Sequence, residues 1–185
     1  MQNYQNTHET DRRSGASSIR VIADGADGYR LYSPTDELLG WVRGRVVGVD
    51  GFATREGAIE AALESYRALA SWVERQGLQP LPPLGKGLPR LVHDGAHRWI
   101  QCDQLPVARL PEATPNARNE PTRHSYEIVL RGVVSEGLAI HAALVAVSAV
   151  HGRIDAADIT WPRRRIRSVE PIADSPTTQV HLEDA

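Results

Sequence analysis

Residues 54–63 read TREGAIEAAL, and residues 135–144 read SEGLAIHAAL. Each stretch sets a hydroxyl residue and Glu-Gly ahead of an Ala-rich apolar run, and Ile59-Glu60-Ala61-Ala62-Leu63 matches Ile140-His141-Ala142-Ala143-Leu144 at four of five positions. Thr54 and Ser135 are natural N-caps, because a side-chain oxygen there accepts an orphan N–H of the first turn, and Glu56 suits the positive end of the helix dipole. In the first helix Ile59, Ala62, Leu63, Tyr66, Leu69, Ala70 and Val73 recur at spacings of three and four. Glu60, Glu64, Arg67, Ser71 and Glu74 fall on the other side, so one stripe is expected to be buried. Gly77 supplies the left-handed cap. The second helix should run to about His151 and stop at Gly152. Its apolar residues, Leu138, Ile140, Leu144, Val145, Val147 and Val150, cover most of its circumference, which predicts burial on more than one side.

Outward from the helices the pattern changes to strands. Residues 19–23 and 28–33 flank an Asp-Gly pair and read as a β-hairpin; residues 38–49 read as a third strand, bent or bulged near Gly44 or Gly48. LQPLPPLGKGLP, residues 78–89, is too rich in Pro and Gly to continue the first helix and reads as a linker. Beyond it come a hairpin of residues 91–93 and 97–102 about Asp94-Gly95, a short strand at 107–110, a polar loop at 111–122, a strand at 126–134 and, after the second helix, a closing strand at 165–172. The expected class is α+β. It comprises two small units, 19–77 and 90–172, each a mostly antiparallel sheet packed against one helix, with a disordered leader at 1–18 and a flexible tail at 173–185. Upstream, Arg43-Gly44-Arg45-Val46-Val47 faces Arg131-Gly132-Val133-Val134, which makes an internal repeat one reading of the pair. The offsets of the two matches differ, so the competing reading is two ordinary helix starts.

Composition excludes several function classes. Hydrophobic content of 41%, charged content of 24% and a net charge of -2 describe a soluble globular chain with no bulk attraction to nucleic acid or anionic membrane. Of the 21 basic residues Lys86 is the one lysine, a bias typical of a GC-rich bacterial genome. The single cysteine, Cys102, makes no intramolecular disulfide, so the cytoplasm is the expected compartment. The apolar run at 138–150 is too short to span a bilayer.

The run Gly28-Tyr29, Pro34, Gly40 and FATREGAIEAALESYRALASWVERQGLQPLPP, ending at residue 83, resembles the HicB-type antitoxin fold. There a three-stranded meander leads through a Thr-initiated, Glu- and Ala-rich helix to a Gly-then-Pro exit. The resemblance covers residues 19–83 and implies a partner-binding module on a partial ribonuclease-H-like sheet, normally attached to a separate DNA-binding segment. The long third strand with Gly44, Val46 and Val47 departs from that pattern, and the sequence carries no convincing helix-turn-helix or ribbon-helix-helix.

Candidate chemistry is sparse. His93, Asp94, His97, Cys102 and Asp103 are residue types that hold zinc. A two-residue Asp94-Gly95 turn pairs His93 with Ala96 and His97 with Val92, sending the imidazoles to opposite faces; a three-residue loop would pair them with each other. Cys102 carries no nucleophile signature and reads as a half-buried strand cysteine, and His141 as a core or interface histidine. Trp161, Arg163, Arg164, Arg165 and Arg167 form a basic run able to stack on a base and pair phosphate, although on a strand these arginines alternate between faces. No catalytic residue, metal set or cofactor site is assigned. The leading expectation is a non-catalytic interaction or regulatory module that binds a protein partner or a second copy of itself, with Leu144, Val147 and Val150 on the contact surface. Nucleic-acid binding through residues 161–167 is the alternative, and a metal-dependent hydrolase centred on His93, His97 and Cys102 is the third reading.

Overall fold

The computed structural model describes residues 19–113, 121–154, 159–161, 166–171 and 178–182, the last two segments as backbone. The expected leader at 1–18 and residues Arg163, Arg164 and Arg165 lie outside the described residues. In chain order the elements are β1 (Ile19–Asp24), β2 (Gly28–Tyr32), β3 (Leu38–Arg43), β4 (Val46–Phe52), α1 (Arg55–Arg75), β5 (Arg90–Asp94), β6 (His97–Cys102), β7 (Leu105–Arg109), β8 (His124–Val129), α2 (Glu136–His151), β9 (Ile159–Thr160), β10 (Ile166–Pro171) and β11 (Thr178–Leu182). The class is α+β, as the sequence predicts. No helix among the described residues is long and apolar enough to cross a membrane.

Both helix ends follow the sequence logic. Gly57 N donates to Thr54 Oγ1 (3.0 Å), and Leu138 N to Ser135 Oγ (3.4 Å), so each hydroxyl satisfies a first-turn amide. Gly77, at φ +66°, turns the chain out of α1 while Leu78 N reaches Val73 O (3.1 Å) and Gly77 N reaches Glu74 O (3.1 Å), a Schellman closure.

The expected third strand is two strands. Gly44, at φ +54°, supports a two-residue turn with Arg45, so Arg43 pairs with Val46 and the chain doubles back. Each half of the chain therefore contributes four strands and then a helix. The strands do not form two sheets. One nine-stranded sheet runs in the order β5-β6-β7-β8-β4-β3-β2-β1-β9, with β4 and β8 antiparallel at its middle and Val47 opposite Ile128. The two expected sheets are one for a physical reason: β4 and β8 each end a meander as an unpaired edge, and pairing them with each other satisfies both ladders. β9 pairs in parallel with β1. The strand expected to close the sheet at 165–172 instead pairs, as β10, with β11, which lies within the expected flexible tail and packs beside α2.

Both helices lie on one face. Gly40, Val42, Val47, Val49, Tyr126 and Ile128 point toward them and are buried. α1 rests mainly on β8 and β7, α2 on β3 and β4, and the helices pack against each other. Each helix thus covers chiefly the other half's strands. Contacts with the sheet, α1 and β11 account for the nearly all-round apolar surface of α2. The buried face of α1 contains Ala58, Ala61, Ser65 and Trp72 beside the expected Ala62, Tyr66, Leu69 and Val73, while Ile59, Leu63 and Ala70 are only partly buried.

Gly40 sets how closely α2 approaches. A β-carbon there would lie 2.6 Å from Val147 Cγ2 and 2.7 Å from the Gly48 carbonyl oxygen. Gly40→Ala should therefore overpack the interface at a cost of about 1–3 kcal/mol in chemical denaturation. Glu64→Gln, on the exposed face of α1, should shift stability by less than about 0.5 kcal/mol. An unchanged midpoint for Gly40→Ala would refute this account of the contact.

Candidate functional site: the β7–β8 seam

Strands β7 and β8 pair at one position, Arg109 opposite Glu127. Their guanidinium and carboxylate are ion-paired across the join, and the Glu127 side chain is only 12% exposed. Two residues further on the register would set Val107 against Val129, but the ladder has already ended there. The strands splay into a cleft of about 680 Å³ lined by both valines, with Trp99, Leu105, Tyr66, Leu81 and Pro82 among its walls. That volume lies within the range of ordinary ligand sites. Backbone direction matters here. Leu130 N donates to Arg45 O (2.9 Å) on the β4 side, so the alternation of a strand turns the peptide groups of Val129 the opposite way, toward the cleft.

Arg45, Arg131 and Gln79 line the same cleft, and among the described residues no carboxylate does. Arg45 Nη1 donates to Gly132 O (3.4 Å). Gly132, at φ +70°, holds the Arg131 turn in a conformation that leaves room for Gln79, whose Oε1 would be 2.9 Å from a β-carbon on residue 132. Tyr66 Oη donates to Pro82 O (2.7 Å), tying the linker to α1. Burial raises the Tyr66 phenol, and the positive charge of Arg131 acts against that rise. Elsewhere on the open face arginines have acidic partners: Arg30 bonds Asp24 (2.8 Å), Arg43 reaches the same carboxylate (3.3 Å), and Arg20 pairs with Asp36. Among the described residues neither Arg45 nor Arg131 pairs with a carboxylate.

The sequence reading missed this site because its parts are remote in the chain. One signal was present: the matched stretches Arg43-Gly44-Arg45 and Arg131-Gly132 do not occupy equivalent places in the two halves but meet side by side at the end of the β4–β8 ladder. The linker was legible as irregular chain, although its glycines have a packing role. Gly87 N donates to Asp103 Oδ2 (3.0 Å), and side chains at residues 85 and 87 would collide with that carboxylate.

The candidates from the sequence are dispersed. The β5–β6 turn is Gly95-Ala96, one residue later than expected, because Gly95 takes the left-handed conformation at φ +56° and Asp94 pairs with His97. His93 sits opposite Arg98, so the two imidazoles still occupy opposite faces. Cys102 is 3% exposed on β6, and burial, aided by the Asp103 charge, raises its thiol. Among the described residues no three His, Cys, Asp or Glu side chains gather as a metal set. Trp161 packs half-buried against the core, while Arg167 is described only as backbone within β10. Leu144 and Val147 are fully buried inside the chain and Val150 is half-buried.

His141 is wholly enclosed. It accepts a hydrogen bond at Nδ1 from Trp72 Nε1 (3.2 Å), with the rings edge to face at 5.0 Å. Nearby, Ser65 Oγ meets Tyr126 Oη (2.5 Å) and donates to Ala146 O (2.9 Å), tying α1, β8 and α2 together. Burial, with the Arg75 charge secondary, lowers the His141 pKa to about 4. The unfolded imidazole protonates near pH 6.5. Between about 6.5 and 4 the unfolded state therefore binds the additional proton, and the contribution of His141 to stability should fall by roughly 3 kcal/mol as pH drops through that window, then level off. His141→Gln, which keeps an acceptor for Trp72, should flatten this part of the stability-versus-pH curve; an unaltered slope would rule the assignment out.

No protein-family model, curated protein or solved structure matches this chain.

Proposed function

We propose that the chain is a non-catalytic protein-interaction module that works in the cytoplasm and engages its partner at the β7–β8 seam. The observation carrying this reading is a cleft between two strands that have parted after one pair, with exposed cationic side chains at its rim and the backbone of Val129 directed into it. Strand edges of this kind recruit extended chains. The likeness of residues 19–83 to HicB-type antitoxins points the same way, to a small toxin-like protein as partner. The absence of an intramolecular disulfide at the lone Cys102 supports the compartment.

A photo-crosslinking amino acid placed at Leu105, on the cleft wall, should capture a defined protein in the host cell; the same group at Glu74, on the exposed face of α1, should not. A second copy of the chain would count as the captured protein. Capture of nucleic acid at Leu105, or identical adducts at both positions, would remove the reading.

A further inference from the structure

We infer that the cleft takes an extended, carboxylate-bearing segment of a partner protein, inserted between β7 and β8, with Arg45 and Arg131 pairing its acidic side chains. The inference rests on the interaction-module reading and names the chemistry of what that module holds. Three observations converge. First, the ladder ends after Arg109–Glu127, so an added strand finds main chain on the β8 side, where the Val129 peptide groups face the cleft. Alternating main-chain bonds are what an inserted strand requires.

Second, the charges at the cleft are of one sign. Arg45 and Arg131 line it with no carboxylate partner among the described residues, whereas Arg20, Arg30, Arg43 and Arg109 are all engaged by acids on the same face. A planar guanidinium without an acidic partner on a concave wall matches a carboxylate by bidentate hydrogen bonding. Third, Val107, Val129, Leu105 and Trp99 supply apolar wall between the polar groups. An extended segment sends successive side chains to opposite faces, so alternation of acidic and apolar residues would meet both kinds of surface. Gln79, packed over Gly132, adds an amide at the rim.

The probe is a fluorescent hexapeptide of alternating Glu and Val, titrated with the full-length protein and read by anisotropy. Its Lys-Val counterpart, and a Glu-Val peptide N-methylated at alternate amides, are run beside it. The acidic peptide should bind, weaken with added salt, and lose about tenfold or more in affinity in Arg45→Gln and in Arg131→Gln. Arg55→Gln, whose side chain pairs with Glu56 at the start of α1, should bind as the parent does. The N-methylated peptide should fail, because electrostatics alone would retain it and strand insertion would not. Equal binding of the Glu and Lys peptides, full affinity in both arginine variants, or full affinity of the N-methylated peptide overturns the inference. So does displacement of the acidic peptide by a single-stranded oligonucleotide at lower concentration than by unlabelled peptide. Protein capture at Leu105 combined with failure of the acidic peptide would sink the ligand chemistry alone and leave the interaction module standing; loss of capture would sink both.

Discussion

Each helix covers strands that the other half of the chain contributes, and the remainder of the architecture follows from that exchange. α1 rests on β8 and β7, α2 on β3 and β4, and the two helices meet above the β4–β8 ladder. A first half folded alone would expose the face of α1 that now covers β8, and would leave β4 as an open edge. The second half would be in the mirrored position. Hydrophobic burial and ladder satisfaction therefore select the same pairing. Buried polar groups reinforce it: Ser65, Tyr126 and the Ala146 carbonyl form one hydrogen-bonded group spanning α1, β8 and α2.

Local elements were legible in the sequence because their causes are local. Thr54, Ser135, Gly77 and Gly152 mark helix ends by capping chemistry, and the structure places ends at each. The nearly all-round apolarity of α2 correctly foretold contact on more than one side. Sheet order was not legible, since nothing near Val47 specifies Ile128 as its partner. The β3–β4 turn was missed because Val46, Val47 and Val49 continue the strand-like composition of β3, leaving Gly44 as the one sign of reversal. The β5–β6 turn was displaced by one residue because Asp-Gly suggests the loop but does not fix which of the two occupies it.

The seam illustrates a different limit. Its arginines sit in a sequence rich in arginine, where composition lowers the information in any one of them. Their distinction is positional: Arg20, Arg30, Arg43 and Arg109 are engaged by carboxylates, while Arg45 and Arg131 lie where the β7–β8 ladder has ended. The metal-ligand residue types show the converse. His93, His97 and Cys102 are close in the chain, yet strand alternation parts the two imidazoles, and the Cys102 thiol is buried. Proximity in sequence created an apparent site, and distance in sequence concealed a real cleft.

The central ladder also has a kinetic consequence. Val47 waits for Ile128, about 80 residues later, and closing so long a loop must precede any gain from the pairing. During synthesis the β4 edge stays without its partner for several seconds at ordinary elongation rates of roughly 5–20 residues per second. The composition of β4 is suited to that interval. Gly48 and Asp50 interrupt its valines, and Trp41 lies over Gly48 so closely that no side chain would fit there. A strand broken by glycine and a carboxylate templates intermolecular pairing poorly. The same residues that shape the middle of the finished sheet thus also make β4 a poor template for intermolecular pairing while the second half of the chain is still being made.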